Sequence, residues 1–460
     1  MSKYKLGACN PYIRDYICAK FIQMKKRLLS ILSLLISQVA IAQTWVFDSV
    51  STGASYANDV YYSMSNGTTK TVANNNWHIA FQMAPQFGPS ASASILANHA
   101  VNNVQVFSLN LSAAAKFANL SASDTIGKTN PERELLGSNK TWNVGAFNKN
   151  KNPSNLFDYG WGKYNQTTNN LSGDSIYLVK IGNTTAYKIW VQEYISHPAD
   201  SISWKVRIAT FSGNSDTTLI IPRNKAPFNF TDRLFAYVNL GTYAILDREP
   251  SRSNWDLLFT RYKDTATQMG LTLTMNVSGV LQHPNVSVAK VPGAGMPSSS
   301  SLSYLDSINT IGYDWKYFPG SYPFLITDNN YFLKNKNNNT YSVIQFTAFG
   351  GSINGVYTFK KQNLGATSIE QNTKSKNTIL SYPNPAHQSL SLLLDVDYPV
   401  AQAQLSITSL TGAVVYQAHT SLDAGLNTIS ITTADWANSI YLLQTKINEE
   451  IQQQKILIQH

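Results

Sequence analysis

Histidine and methionine side chains are the groups of this chain that could ligate a metal centre. Imidazole nitrogen and thioether sulfur are usual axial donors to haem iron, which also needs an apolar slot. Between residues 43 and 365 the histidines are His78, His99, His197 and His283. His99 and His283 lie in similar connections between expected strands, so we take both as candidate cofactor ligands, with haem as the candidate cofactor. The alternative is two loop histidines without a ligand. His78 is expected on a strand face and His197 in a loop.

Aromatic side chains could serve a binding protein of another kind. Stacking faces for sugars or for a porphyrin could come from Trp161, Tyr164, Trp190, Trp315 and Tyr317. Aromatic side chains also bury large areas, so the alternative is that they form a core. We expect core positions for Trp77 and Trp255.

The sequence offers little support for catalysis. It contains no Gly-x-Ser-x-Gly elbow, no His-Glu-x-x-His pair and no phosphate-binding glycine loop. Asp247, Glu249 and Asp256 lie close in sequence, but acid–base catalysis needs opposed carboxylates at a defined separation. We therefore expect a protein that is not an enzyme. A hydrolase with an acid cluster in a cleft stays open as a third hypothesis.

Hydroxyl side chains follow an aspartate in a shared Asp-Ser/Thr pattern. They are Ser49, Thr125, Ser175, Ser201, Thr217, Thr265 and Ser307. The pattern resembles the acceptor motif for O-glycosylation of exported proteins in the Bacteroidota, so each hydroxyl is a candidate modification site. The alternative is turn chemistry, because Asp-Ser and Asp-Thr commonly begin a strand or cap a turn.

Composition restricts the class of protein. Hydrophobic residues make up 43% of the 460 residues and charged residues only 13%, with 25 Tyr, 19 Phe and 9 Trp. A disordered chain needs high net charge and few aromatics, so that class is excluded. Aromatic and β-branched residues favour β-structure.

The first 42 residues have the features of a secretory signal peptide. A cationic start at Met24 precedes an apolar stretch over residues 28–36 and a small-residue site ending at Ala42. We expect cleavage between Ala42 and Gln43, and Met24 as the true start of the chain. The alternative is a membrane anchor, but the apolar stretch is shorter than the roughly 20 residues that a membrane span requires.

Removal of residues 1–42 changes the chemistry of the chain. Seven basic residues and one acidic residue leave with this segment, so the net charge falls from +10 to +4 and no longer indicates nucleic-acid binding. Cys9 and Cys18 also leave, which excludes thiolate ligands from the mature chain. We expect no nucleic-acid partner and no transmembrane span in the mature chain.

Several short patterns occur twice in the same order, which predicts a tandem repeat. Trp77 recurs as Trp255, and Trp161 recurs as Trp315. After these second tryptophans, tyrosines follow at equal spacing: Tyr177 and Tyr187, then Tyr331 and Tyr341. We place copy one at 43–222 and copy two at 223–365, each built of antiparallel strands. Helix signals are scarce, and Ser108–Leu120 is the best candidate.

A polar stretch at 366–377 is expected to be a linker, followed by a small β-domain at 378–460. The segments 382–386, 412–416, 425–429 and 440–443 stand in order. They resemble the C-terminal sorting domain of type IX secretion substrates. The resemblance implies an immunoglobulin-like β-sandwich that engages the secretion machinery, and release or anchoring to surface lipopolysaccharide after the domain is removed.

The two copies resemble the HmuY family, whose founding members are surface haemophores. The resemblance rests on the segments 254–262, 278–281, 311–316 and 331–334. Copy one matches less closely, because His78 stands where copy two has Asp256. These motifs are mostly scaffold, so no haem ligand is carried over from the family.

Together these observations predict a mainly β protein. We expect two tandem HmuY-like antiparallel β modules and a C-terminal immunoglobulin-like sorting domain. The expected function is that of a secreted or outer-membrane surface binding protein for haem or another hydrophobic small ligand. The alternative is a structural or adhesive surface protein whose old pocket has become core.

Overall fold

The computed structural model describes residues 45–85, 92–183, 185–196, 201–268, 271–293, 295–366, 378–396, 398–409, 412–447 and 450–460. The expected signal peptide with Met24, its cleavage site at Ala42 and Gln43, His197 and the linker from residue 367 onwards lie outside these ranges.

Strands dominate the body, which we define as residues 45–366. In chain order they are β1 Val46–Ser51, β2 Asn58–Ser63, β3 Gly67–Ala73, β4 Ile79–Gln82, β5 Ile95–Ala97, β6 Val104–Ser112, β7 Lys163–Asn165, β8 Asn170–Ser172, β9 Ser175–Ile181, β10 Thr185–Ile195, β11 Ser203–Thr210, β12 Thr217–Pro222, β13 Asn224–Lys225, β14 Phe228–Asn229, β15 Phe235–Val238, β16 Ile245–Leu246, β17 Leu257–Gln268, β18 Leu271–Gln282, β19 Val286–Pro292, β20 Lys316–Tyr317, β21 Leu325–Ile326, β22 Asn329–Asn335, β23 Thr340–Phe349 and β24 Val356–Ala366. The mainly β fold class is confirmed.

Helical segments in the described part of the body are short. They are α1 Ala113–Lys116, α2 Gly351–Asn354 and the 3-10 turns Ala54–Tyr56, Ala122–Thr125, Pro131–Arg133 and Ser299–Ser301. The helix expected over Ser108–Leu120 is thus reduced to α1, because β6 pairs with β9 and keeps the chain extended as far as Ser112. Ser112 then caps the turn by accepting a hydrogen bond from the Ala115 amide.

Residues 79–246 form a first β-sandwich, which we call sandwich I. One of its sheets runs β12-β11-β10-β9-β6, with the hairpin β7–β8 attached to β10 through β8. The facing sheet runs β16-β15-β4-β5. Side chains of both sheets, such as Phe81 and Trp204, share one buried cluster.

A second β-sandwich, sandwich II, combines residues 46–73 with residues 257–366. One sheet runs β1-β24-β23-β22-β19, and the other runs β18-β17-β2-β3. The first three strands of the body therefore complete sheets whose other strands lie about 200 to 300 residues later. Its core contains Tyr62, Phe259 and Trp315.

The two four-stranded sheets pack back to back between the sandwiches. In β2, Val60 and Tyr62 belong to the core of sandwich II, whereas Tyr61 belongs to a central cluster with Tyr237 of β15. Successive strand residues point to opposite faces, so β2 and β15 each contribute side chains to two buried clusters. The body is consequently a stack of four sheet layers separated by three buried clusters.

The two four-stranded sheets have the same strand order, and β15 pairs with β4 in the register in which β2 pairs with β17. Tyr61 of β2 lies opposite Leu258, and Tyr237 of β15 lies opposite Ala80. Leu258 follows Trp255 by three residues, as Ala80 follows Trp77. The Trp255 ring meets Tyr61 edge-on at 5.1 Å, and the Trp77 ring meets Tyr237 edge-on at 5.0 Å. The two tryptophans therefore occupy matching surroundings.

Strand pairing groups the chain differently from the expected copies at 43–222 and 223–365. Segment 46–73 pairs into sandwich II, and β13–β16, beyond residue 222, belong with sandwich I or its edge. The reason is that β15 supplies the neighbour that β4 needs, as β2 supplies it for β17. Three of the four sheets are thus completed by strands that lie outside the expected boundary, whereas the sheet β12-β11-β10-β9-β6 lies within it.

The repeated tyrosines stop being structurally equivalent at the hairpin between them, although their spacing in sequence is equal. Tyr177 and Tyr331 face equivalent partners, Ile189 and Ile344, but Tyr187 pairs with Val179 and Tyr341 pairs with Lys334. A one-residue offset in a strand reverses the face of a side chain. Tyr187 accordingly joins the core of sandwich I, whereas Tyr341 contacts Tyr304.

The tail, which we define as residues 378–460, is a separate small sandwich. Its strands are β25 Thr378–Tyr382, β26 Ser389–Val396, β27 Val400–Ser409, β28 Val414–Leu422, β29 Gly425–Thr432, β30 Ser439–Ile447 and β31 Glu450–Ile458. They form the sheets β25-β26-β29 and β28-β27-β30-β31 around a core that includes Leu392, Leu394 and Ile407.

Candidate functional site

The hairpin β20–β21 in sandwich II presents a patch of aromatic side chains to solvent. Lys316 pairs with Ile326 and Tyr317 with Leu325, and every residue from 317 to 323 is exposed. The exposed fractions are 55% for Tyr317, 51% for Phe318 and 51% for Tyr322. We call residues 316–326 the aromatic hairpin.

The exposed rings are held in place by each other and by the core below. Phe318 lies 5.5 Å from Tyr322 and 5.1 Å from Phe324, between ring centroids. Phe324 in turn meets the buried Phe349 edge-on at 5.0 Å. Ring contacts of this kind are stabilising, so Phe318, Tyr322 and Phe324 support one another at the surface.

A glycine in α2, Gly351, allows the Tyr322 ring to lie close to the backbone. A Cβ atom at residue 351 would lie 2.7 Å from a ring carbon of Tyr322, and the backbone there has φ of +63°. Only glycine combines that approach with that backbone conformation at low cost. Ile353 on the same helix is 71% exposed.

The aromatic hairpin carries almost no charge at its surface. Lys316 is its only ionisable residue besides the tyrosines, and its side chain is 9% exposed. The ammonium lies 4.5 Å from the Trp315 ring centroid and donates to the Ser278 carbonyl at 2.6 Å. Burial lowers the pKa of Lys316 to about 7, against a raising contribution from Asp314. The surface therefore offers rings and phenol hydroxyls without a charge to select an ion.

The structure buries the candidate ligand His283. The imidazole is 1% exposed and meets the Trp255 ring at 4.5 Å. Its Nδ1 accepts a hydrogen bond from the Asn285 amide at 3.0 Å, and its Nε2 is buried without a partner. Desolvation, with Arg252 and Lys336 nearby, lowers the pKa of His283 to about 3. The ring is thus a neutral group between layers.

His99 is also covered, and it does not occupy the position equivalent to His283. Its exposed fraction is 9%, and its Nδ1 lies 2.6 Å from the Val104 carbonyl oxygen, to which it donates. The amide of Asn98 donates to the His78 carbonyl just as the amide of His283 donates to the Asp256 carbonyl. Asn98 is therefore the counterpart of His283, and His99 lies one residue further on.

The remaining sequence candidates are mostly structural. Trp161 and Trp315 are fully buried, Tyr164 is 8% exposed, and Trp190 donates to the Gly173 carbonyl at 2.7 Å. Of the five predicted stacking residues, Tyr317 is the one that the structure exposes. Phe318 and Tyr322 were missed, although their place beside Tyr317 in a Pro- and Gly-rich turn was the available signal.

The histidine at position 78 also serves the backbone. Its Nδ1 accepts a hydrogen bond from the Leu240 amide at 2.9 Å, and burial lowers the pKa of the ring. This contact joins the start of β4 to the loop that follows β15.

The carboxylates that lie close in sequence have separate partners. Glu249 accepts hydrogen bonds from the Leu234 amide at 2.6 Å and from the Tyr237 hydroxyl at 2.8 Å. Asp247 pairs with Arg233 at 2.8 Å. Asp256 accepts from the Met64 amide at 2.8 Å. Within the described ranges no group of three His, Cys, Asp or Glu side chains is placed to hold a metal ion.

The candidate modification sites differ in exposure. Among the seven hydroxyl residues, those classed as exposed are Ser49, Ser201 and Thr265. The half-buried ones are Thr125, Ser175, Thr217 and Ser307. The Thr125 hydroxyl donates to the Ala122 carbonyl, and the Ser307 hydroxyl donates to Asn309.

The tail rests on sandwich I through the outer face of its three-stranded sheet. Leu393 of β26 and Leu426 of β29 are buried in the same cluster as the core of sandwich I. The Tyr164 hydroxyl donates to Asn169 Oδ1 at 2.8 Å and lies 3.1 Å from the Thr428 hydroxyl, whose proton it can accept. Beside this contact is a shallow depression lined by Phe157, Lys163, Tyr164, Asn165, Gln166 and Ser172.

Comparison with known proteins identifies the tail. Residues 381–459 match the family model of the secretion system C-terminal sorting domain. No curated protein matches the chain. A solved structure, that of dimeric latent PorU from Porphyromonas gingivalis, is similar at 7% sequence identity and a TM-score of 0.18, covering 62% of this chain and 26% of that chain. The chain thus spans about a quarter of that protein's length.

In the described ranges, no helix has both the length and the apolar character needed to cross a membrane. The match of the tail indicates where the protein is located. The C-terminal domain is a type IX secretion sorting domain, and the protein is secreted or displayed at the cell surface by that route.

Proposed function

We propose that this is an adhesive surface protein that binds a neutral polysaccharide through the aromatic hairpin. The observation that carries the proposal is the exposure of three rings on one hairpin, Tyr317, Phe318 and Tyr322, of which Phe318 and Tyr322 lie 5.5 Å apart. Exposed apolar patches on soluble proteins mark interaction sites. The resemblance to the HmuY family stays a prediction, and it fits a binding role.

The chemistry of the patch favours sugar over other ligands. The flat faces of sugar rings present C–H groups that pack on aromatic rings, and their hydroxyls can pair with phenol hydroxyls. An anionic ligand would need basic side chains, and the one lysine of the hairpin has its ammonium buried over Trp315. A neutral, extended ligand is therefore the class that fits best.

Haem is not the ligand that the geometry supports best. The iron would have to reach the Nε2 atoms of His99 and His283, which are both buried. His283 also lies against Trp255 in the central cluster region, where a ligand would displace core packing.

The test compares binding of the mature full chain to insoluble neutral glucan and mannan with binding of Phe318→Ser/Tyr322→Ser. We expect the double variant to lose at least tenfold in affinity, because stacking on the hairpin is removed. Tyr398→Ser is the matched control, since Tyr398 is 74% exposed on the tail and belongs to no ring cluster described above. The proposal would be overturned if the double variant bound as tightly as the wild type, or if the wild type bound neither polymer. It would also be overturned if the wild type bound phospholipid vesicles instead and the double variant lost that binding.

A further inference from the structure

Two exposed histidines of the tail lie side by side although they are far apart in sequence. His387 lies just before β26, and His460 follows the end of β31. Their Nδ1 atoms are 3.3 Å apart, and their ring centroids are 5.0 Å apart with an angle of 78° between the planes. The fold thus brings two imidazole nitrogens together at the surface of the tail.

Backbone pairing next to each histidine sets this arrangement. Ala386 forms a parallel bridge with Ile458, and the Gln459 amide donates to the Ala386 carbonyl at 2.9 Å. The His460 amide donates to Asn438 Oδ1 at 2.8 Å. The residues that precede the two rings are therefore joined to each other, and the rings are neighbours because of that pairing.

A backbone carbonyl sets the tautomer of His460. Its Nε2 lies 2.8 Å from the Trp436 carbonyl oxygen. A carbonyl oxygen can only accept a hydrogen bond, so Nε2 carries the proton, and in the neutral ring Nδ1 keeps its lone pair. Metal-binding histidines commonly donate their second ring nitrogen to a carbonyl in this way. His460 is thus arranged to offer Nδ1 as a ligand on the side where His387 lies.

The separation of the two nitrogens matches a tetrahedral metal ion. Imidazole nitrogens bound at about 2.0–2.1 Å to a tetrahedral zinc ion lie roughly 3.3 Å from each other. Nitrogens at right angles around a square-planar or octahedral ion would lie only about 2.9 Å apart. The separation of 3.3 Å between the Nδ1 atoms therefore favours zinc among the metals that imidazole binds.

We propose that His387 and His460 form a zinc site on the tail, with water completing the coordination. A structural zinc site has four protein ligands, so a site with two is open and can exchange its metal. Strand β31 lies at the edge of the sheet β28-β27-β30-β31. Bound zinc would link the residue after β31 to the residues before β26 and hold this edge strand in place.

Calorimetric titration of the mature full chain with zinc chloride tests the site. We expect one zinc ion per chain, and His387→Ala should weaken binding at least tenfold. His460→Ala should give the same loss. Both side chains are exposed, so each variant should unfold at the wild-type temperature when zinc is absent.

His419→Ala is the matched control. His419 is an exposed histidine on β28 whose Nδ1 lies 3.3 Å from Gln402 Nε2, and no second imidazole contacts it. This variant should bind zinc as the wild type does. Magnesium chloride is the second control, because Mg²⁺ prefers oxygen ligands and should not bind at this pair.

X-ray absorption at the zinc edge of the loaded chain reads the ligands directly. We expect two nitrogen ligands at about 2.0–2.1 Å, together with oxygen ligands from water. The proposal would be overturned if the wild type bound no zinc, since a direct hydrogen bond between the rings would then account for their contact. It would also be overturned if His419→Ala weakened binding as much as His387→Ala, or if the spectrum showed a single nitrogen ligand.

Discussion

At the scale of single residues, burial decides whether an aromatic side chain is a binding face or part of a core. Tyr317 is 55% exposed, whereas Trp161 and Trp315 are 1% and 0% exposed. The sequence marks all three as candidate stacking residues. It could not separate them, because alternation shows that a strand has two faces but not that a further layer covers the second one.

His283 should make stability fall in acid. Its pKa drops from 6.5 to about 3 in the fold, mainly through desolvation. The unfolded state therefore takes up the proton first, and the free energy of unfolding falls as the pH falls from 6.5 towards 3, by at most about 1.4 kcal/mol per pH unit. Urea unfolding of His283→Asn, which installs the residue found at the counterpart Asn98, should lose this slope. An unchanged slope would contradict the assignment.

Glu249 should make stability fall as the pH rises, which is the opposite of the effect of His283. Burial raises its pKa from 4.5 to about 7, although the Tyr237 hydroxyl and two backbone amides favour the carboxylate. The folded carboxyl keeps its proton while the unfolded one loses it. The free energy of unfolding should therefore fall as the pH rises from 4.5 to 7, by up to about 3 kcal/mol. Glu249→Gln should flatten the stability profile in that window, and a profile identical to that of the wild type would refute the argument.

Exposure should govern which Asp-Ser/Thr hydroxyls are modified. Ser49, Ser201 and Thr265 are exposed, whereas the Thr125 hydroxyl is half-buried and already donates to a carbonyl. We expect any added sugar mass on protein from the native host to map to the three exposed residues. Peptide mapping by mass spectrometry measures this. An intact mass equal to that of the unmodified chain would reject glycosylation altogether.

At the scale of strands and hairpins, the repeated sequence patterns predicted equivalent positions well where strands are long. Trp77 and Trp255 have matching partners, Tyr237 and Tyr61, in matching registers. The prediction fails at the hairpin before β10 and β23, where loop length differs by one residue and Tyr187 and Tyr341 face opposite ways. Spacing in sequence does not reveal such an offset, because it arises from the different lengths of the two loops.

The N-terminal strands should contribute to the stability of sandwich II. Tyr62 in β2 is 0% exposed, contacts Phe259 and Phe359, and donates to Asp48 at 2.6 Å. Tyr62→Ala should cost about 3–5 kcal/mol in the free energy of unfolding, as large core truncations do. Denaturant titration measures the loss. Phe47→Ala in the neighbouring β1 is the control, since Phe47 is 72% exposed, and it should change stability by less than about 0.5 kcal/mol.

A loss no larger for Tyr62→Ala than for Phe47→Ala would contradict the placement of residues 46–73 in sandwich II. It would show that these strands do not pack against β17 and β24 in solution.

At the scale of the whole molecule, the sequence predicted the β class, the repeat and the tail, but not the layered arrangement. Continuous apolar runs such as Phe235–Val238 are buried on both faces, and a sequence does not say which sheet lies on which side. The pairing of residues 46–73 with residues 257–366 was hidden because the two segments are far apart along the chain. Tyr317 of the candidate site was predicted, but Phe318 and Tyr322 were missed, because the exposure of a ring depends on how the layers assemble.

We propose that the aromatic hairpin is the surface by which the protein holds its ligand. Hydrogen exchange of the full mature chain, measured with and without the neutral polysaccharide, tests it most directly. Slower exchange over residues 317–325, with the amides around His99 and His283 unchanged, is the result that the account predicts. Protection that leaves residues 317–325 unaffected would contradict it.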